Sequence, residues 1–269
     1  MLGGGASLGA IHAGMLLALY ERGIVPDLLV GTSAGALNAA FVASRPQAPA
    51  TAHALATLWR GLRREDVFPV KPWAIAGGLL SRRDHLVPGD ALRRLLAANL
   101  EFGDVAQAPI PLHVVAFDVG AGREVLLSAG PAVDALAASA AIPGILPSVP
   151  FAGRRLVDGG VANNTPISHA VELGAERIYV LPAQTGPPRR RRLGALGAGL
   201  DGLMLMTGNR LQADLRRYAG EAEIVLLPAP NRLDVQPIDF SQADRLIADA
   251  AAVARLHLSA AVVPLRRAA

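Results

Sequence analysis

At 269 residues, 52% of them hydrophobic and 18% charged, the chain is long enough and apolar enough to bury one substantial core, which excludes an intrinsically disordered protein. It has no cysteine, so disulfides and thiolate chemistry are ruled out. A net charge of +4, carried almost wholly by arginine because Lys71 is the only lysine, favours anionic surfaces such as acidic lipid head groups. The 4% of aromatic residues show no basic–aromatic interleaving, which argues against a nucleic-acid partner.

The N-terminus runs straight into Gly3-Gly4-Gly5 without the charged and apolar regions of a secretory signal, and no apolar run reaches the length of a transmembrane helix. The expected location is the cytoplasm or a membrane surface. Residues 1–9 form a glycine-rich loop in which backbone N–H groups can approach an anion closely. Ile11, Met15, Leu16, Leu19 and Tyr20 then recur at helical spacing up to Gly23. A dinucleotide fingerprint fails because Leu8 stands where its third glycine belongs, and a Walker loop fails for want of Gly-Lys-Ser/Thr.

Leu28-Leu29-Val30 reads as a buried strand, followed by Gly31-Thr32-Ser33-Ala34-Gly35 and a helix of small residues to about Ser44. A Gly-x-Ser-x-Gly at such a joint is a nucleophile elbow, with the serine at a helix N-terminus that favours developing negative charge. It also fits a plain strand-to-helix turn. A helix is expected over residues 51–62. Residues 63–88 read as irregular, the best candidate for a lid, and Asp90 as the cap of a helix to Leu100.

Pro111 to Asp118 reads as a core strand with residues 124–127 as its neighbour, and residues 132–141 as a helix. The two prolines within 145–151 predict a loop. Residues 154–157 are a short strand leading into Asp158-Gly159-Gly160, where the aspartate is either an exposed carboxylate at a strand end or a turn-forming residue. A helix to Leu173, a strand over 176–181, a helix over 193–218, a strand over 224–227 and a closing helix capped by Ser241-Gln242-Ala243-Asp244 complete the chain. Arg189 to Arg192 reads as a solvated loop face or a contact with anionic lipid. Alternating strands and helices without a linker predict one α/β domain over 1–269, with a mostly parallel sheet covered on both faces.

A serine needs a base and donors for the oxyanion. Ala34 at the elbow and the Gly4-Gly5-Ala6 loop offer N–H groups, and Asp158 offers a carboxylate. A histidine triad, Ser33–Asp158–His169 or Ser33–Asp158–His257, is formally available. Against it, both histidines fall within predicted helices, and only one full strand precedes the elbow. No histidine or cysteine cluster suggests a metal.

The segments Gly3-Gly4-Gly5-Ala6-Ser7-Leu8-Gly9-Ala10, Gly31-Thr32-Ser33-Ala34-Gly35 and Asp158-Gly159-Gly160 resemble the three ordered motifs of the patatin-like phospholipase family. Ala138-Ser139-Ala140-Ala141-Ile142-Pro143 and Asn163-Asn164-Thr165-Pro166 are similar to it as well. The resemblance covers about residues 2–182, leaving 183–269 as a C-terminal extension. It implies a three-layer α/β/α fold and hydrolysis of phospholipid or related acyl esters by a Ser–Asp dyad, with no metal or cofactor. Ser33 would be the nucleophile, Asp158 its base, and the amides of Gly4, Gly5 and Ala6 the oxyanion hole. A catalytically idle lipid- or partner-binding module is the rival from another class.

Two departures stand out. Leu8 replaces the basic residue that many members carry before the last glycine of the first motif, so neutral esters remain within reach. Of the family's first strand only Met1-Leu2 is present. A chain extended upstream is expected to be more stable, and equal melting temperatures of the two forms would refute that.

Overall fold

The computed structural model describes residues 1–69, 84–183, 210–230 and 235–260. Its strands are β1 (Leu29–Thr32), β2 (Leu112–Asp118), β3 (Arg123–Leu127), β4 (Val149–Phe151), β5 (Arg154–Asp158), β6 (Arg177–Val180) and β7 (Glu223–Leu226). The helices that matter for the site are α1 (Ile11–Tyr20), α2 (Ala34–Ala43), α3 (Pro49–Gly61), α4 (Asp90–Asn99), α5 (Ala132–Ser139), α6 (Ile167–Glu172) and α7 (Ala243–Ala260).

The middle of the sheet is parallel. β1 pairs with β2, and β6 with β7, both in parallel. The first residues of the chain join these two pairs. Leu2 N–H donates to Val30 O (2.9 Å) and Leu2 O accepts from Thr32 N–H (3.2 Å), while Gly3 N–H donates to Leu181 O (2.9 Å). Met1 and Leu2 therefore stand between β1 and β6. Antiparallel strands complete the sheet: β3 on one edge of β2, β5 beyond the end of β1 on the other, and β4 alongside β5.

Period-two alternation sends neighbouring side chains to opposite faces, and both faces are covered. Leu29, Leu112, Val114 and Ala116 join a core with α1, α2, α3, α5 and α7. Val30, Val115 and Val180 join a second core with Ile167 and Ala170 of α6 and with Leu211. This is the expected three-layer α/β/α arrangement.

Four local expectations are corrected. Residues 149–151 pair with β5 although Pro150 lies among them, because a proline is tolerated on an edge strand where its missing N–H faces no partner. Asp90 is the first residue of α4 and caps nothing; Gly89 occupies the cap position, and the carboxylate acts there through the helix dipole. Ser241 turns both its N–H and its hydroxyl to Asp239 Oδ1 (2.9 and 2.7 Å), so no capping box forms. Within the segment read as irregular, Arg64–Val67 is a short helix. The Arg189–Arg192 run, most of the expected lid and most of the expected 193–218 helix lie outside the described residues; 210–217 are helical. Among the described residues no helix is long and apolar enough to cross a membrane.

Candidate active site

The registers explain why Ser33 and Asp158 meet. β3 lies along Val114–Asp118 of β2, so both β1, paired over Leu112–Val115, and β5, paired over Ala116–Asp118, must share the opposite edge. β1 runs parallel to β2 and β5 antiparallel, so the two strands approach head-on. Thr32 ends opposite Val115, and Asp158 ends opposite Ala116. The residue after β1 and the last residue of β5 thus face each other across a seam.

At that seam Ser33 adopts φ 53°, ψ −130°, a left-handed conformation that costs a non-glycine residue on the order of 1–3 kcal/mol. The flanking glycines make the bend possible. A Cβ on Gly31 would sit 2.6 Å from Ala36 Cα, and one on Gly35 would sit 2.3 Å from Leu2 O. The bend places Ser33 immediately before α2, with its Oγ–H donating to Asp158 Oδ2 at 2.7 Å. Both residues are buried.

The other carboxylate oxygen of Asp158 accepts the Gly160 N–H (2.7 Å). Gly159 passes so close to β2 that a Cβ would lie 2.4 Å from Val115 O. Burial raises the Asp158 carboxyl to about 6, against the opposing effect of its bonds from Ser33 and Gly160. The group is therefore ionised at neutral pH yet a stronger base than an ordinary carboxylate. The end of α5 braces both residues: Ser33 N–H donates to Ser139 Oγ (2.8 Å), and Asp158 N–H donates to Ala141 O (2.9 Å).

The glycine-rich loop crosses the same seam. Gly3 and Gly4 are fixed by their N–H bonds to Leu181 O (2.9 Å) and Asn164 O (3.0 Å). The Gly4 amide, expected among the oxyanion donors, is thereby already committed within the fold. The N–H groups of Gly5 and Ala6 take no backbone partner among the described residues and are only half-buried. Ala34, as the first residue of α2, has an N–H without an intrahelical acceptor. Gly9 packs against Ala34 and Trp59, where a Cβ would come within 2.9 Å of each.

Beside Ser33 opens an apolar chamber. Ala6, Ser33 and Ala34 stand in its wall, and the rest is largely leucine and aromatic side chains from α2, α3 and α4, with Phe240. Its apolar lining suits a flexible hydrocarbon. Asn38, which also lines it, donates to Gly9 O (2.9 Å) and accepts from Trp59 Nε1 (2.9 Å). One amide thereby ties the glycine loop, α2 and α3 together.

Sequence reasoning missed several contributors. Ser139 and Asn164 belong to the segments similar to the family, but no local pattern assigns either a role. Asn38 follows the elbow by five residues, and a polar residue within an otherwise apolar helix was the signal for it. Phe240 carried no signal.

The two histidines of the alternative triad lie on α6 and α7. His169 Nδ1 lies 3.1 Å from Glu172 and its Nε2 lies 3.5 Å from Glu124. The Glu124 carboxylate raises its pKa against the effect of burial. His257 sits in the last turn of α7. In a triad a histidine stands between serine and acid, whereas here Ser33 bonds Asp158 directly. Among the described residues no group of histidines and acids is arranged to hold a metal.

A family model described as patatin-like phospholipase matches residues 1–171. An uncharacterized NTE family protein of Mycobacterium tuberculosis is 30% identical over 193 residues, which is 70% of this chain and 50% of that protein. Lysophospholipase NTE1 of Mycosarcoma maydis is 26% identical over 67% of this chain and 9% of its own length. Patatin-like phospholipase domain-containing protein 6 of Homo sapiens is 28% identical over 77% and 14%. The chain thus spans about half the length of the mycobacterial relative and a much smaller part of the other two. Among solved structures, VipD from Legionella pneumophila aligns over 96% of this chain and 66% of its own, at TM-score 0.48 and 13% identity.

Proposed function

Because the chain belongs to the patatin-like phospholipase family, we propose that it hydrolyses carboxylic esters of phospholipids or related lipids through a Ser33–Asp158 dyad. The observation that carries this reading is the 2.7 Å bond from Ser33 Oγ to Asp158 Oδ2 at the wall of an apolar chamber. The name lysophospholipase borne by a relative supports a lipid with an acyl chain as substrate.

Asp158 takes the hydroxyl proton as Ser33 Oγ adds to the ester carbonyl. The oxyanion that forms is met by the N–H groups of Gly5, Ala6 and Ala34, the last at the positive end of α2. Collapse breaks the carbonyl–alkoxide bond, and the protonated Asp158 returns its proton to the departing alcohol. The acyl group stays on Ser33 with its chain in the chamber. Asp158 then takes a proton from water, whose oxygen attacks the acyl carbonyl. The fatty acid leaves as the proton goes back to Ser33.

Hydrolysis of a p-nitrophenyl ester and of phospholipid vesicles tests the reading. Ser33→Ala and Asp158→Asn should each lose about 1,000-fold or more in kcat, since members of such a unit fail together. His169→Ala and His257→Ala should keep activity. Turnover unchanged in Ser33→Ala would remove any serine mechanism. Loss in either histidine variant would restore the triad, and an inactive wild type would favour the binding module.

A further inference from the structure

Ser139 occupies the centre of the seam. It is fully buried, and its single hydroxyl accepts the N–H of Ser33 (2.8 Å) while donating to Val115 O (2.6 Å). That uses the donor and one acceptor site of the hydroxyl at once. The Val115 carbonyl lies at the junction where β1 ends and β5 ends on β2, so no regular ladder partner continues past it. Two residues further on, Ala141 O receives the N–H of Asp158 (2.9 Å). A stretch of three residues at the end of α5 thus holds the backbone of Ser33 and the backbone of Asp158, which are 125 residues apart.

The Ser33 backbone needs such a hold. At φ 53° it is strained, and its N–H points into the protein interior instead of toward substrate. An unanchored elbow would relax by rotating the peptide, and Oγ would swing away from Asp158. The other neighbours of the dyad hold side chains or adjacent loops: Gly160 N–H holds the far carboxylate oxygen, and Thr32 Oγ1 bonds Asn163 O (2.9 Å).

We propose that Ser139 is a positioning residue for hydrolysis: its hydroxyl fixes the Ser33 elbow to β2 at the distance from Asp158 that proton transfer requires. The inference rests on the dyad reading above and adds a third residue to it, one that touches neither substrate nor the reacting atoms.

The test compares wild type with Ser139→Ala, Ser139→Cys and Ser139→Thr on p-nitrophenyl butyrate, each rate divided by the concentration of folded protein. Cysteine keeps the side-chain size with a much weaker acceptor, and threonine keeps the hydroxyl. Misplacing a reacting group by about 1 Å costs about 100-fold, so kcat of the alanine and cysteine variants should fall roughly 10- to 100-fold with KM little changed. Threonine should recover at least half of the lost decades. The acid limb of the kcat/KM–pH profile should move to higher pH in the alanine and cysteine variants, because a weakened Ser33 bond removes one influence that lowers the Asp158 pKa. A structural role alone would not move that limb.

A folded Ser139→Ala enzyme with wild-type kcat overturns the proposal, as does a loss confined to KM, or an equal loss in the threonine variant with an unmoved limb. Failure of both the alanine and the cysteine variants to fold marks Ser139 as structural and overturns it too. Ser33→Ala in the same assay separates the two claims. Residual wild-type activity there refutes the dyad, whereas an inactive Ser33→Ala beside a fully active Ser139→Ala refutes only the positioning role.

Discussion

The seam that holds Ser33 and Asp158 and the chamber beside it are built by opposite means. In the seam, position is set by the backbone: three glycines lie so close to neighbouring main chain that a Cβ would come within 2.6 Å of it, and both oxygens of the Asp158 carboxylate are hydrogen-bonded. In the chamber, shape is set by interchangeable side chains of α2, α3 and α4. Close backbone packing has one solution and fails when crowded. Leucine walls have many solutions and yield gradually. On the proposed function, the chemistry is confined to the rigid region and the choice of acyl chain to the adaptable one.

The harshest way to break that contrast is to crowd the seam. Gly35→Ala places a methyl 2.3 Å from Leu2 O and 2.6 Å from Gly3 O, both main-chain atoms with nowhere to go. The expected cost is about 3 kcal/mol or more, a fall in melting temperature on the order of 10 °C for a chain of this size, with ester hydrolysis lost. A variant that melts and turns over like wild type would show the seam to be as yielding as the chamber.

Asp158 gives a second test with a definite sign. Its carboxyl is raised from 3.8 to about 6 by burial, so the folded chain binds that proton more tightly than the unfolded chain. The stabilising contribution is present below about pH 4 and is lost as the pH rises through 6; above that, an ionised buried group burdens the fold by roughly 2–3 kcal/mol. Asp158→Asn, neutral at every pH, should melt about 5–10 °C above wild type at pH 8 and alike at pH 4, while losing activity. Wild-type kcat/KM should rise with pH through an acid limb near 6. Equal melting at pH 8 would remove the claim that the carboxylate is held there against stability.

The chamber should respond most mildly. Leu58 lines it, and also lines an outer cleft that carries Arg45, Glu65, Asp66 and Arg94. Leu58→Ala thins the partition between the two. Each further methylene that gains cover is worth about 0.8 kcal/mol, so kcat/KM for dodecanoyl over butyryl p-nitrophenyl esters should rise roughly 10-fold, with little change in melting. An unchanged ratio would place the chain elsewhere.

The same contrast decides what the sequence discloses. Gly31, Ser33, Gly35, Asp158 and Gly160 are visible in it because close backbone approach and a sharp turn admit few residue types, and β1 and β2 are visible as short apolar runs. The Gly4 amide misleads, since its partner Asn164 O lies 160 residues away and no local pattern reports it. β4 is hidden because proline reads as a breaker until the strand is known to lie at an edge. The chamber is hidden for another reason: Leu55, Leu92 and Phe240 look like any core residues, and only the packing shows that they surround a space.

If Ser33 and Asp158 form the proposed dyad, the head-on meeting of β1 and β5 also dictates when hydrolytic capacity can arise as the chain folds. Neither strand bonds the other; each is placed by β2, and Ser33 and Asp158 are brought together across 125 residues of chain. Contacts of such separation form late, after the intervening loop has been closed. A newly made or partly unravelled chain has the glycine run and the serine in sequence, but lacks the distant partners that fix them, Asn164 O and Ser139 Oγ, and has no carboxylate within reach of the serine. With the proposed dyad, ester cleavage would be withheld until the sheet is whole, and loss of β5 from its place would silence the molecule.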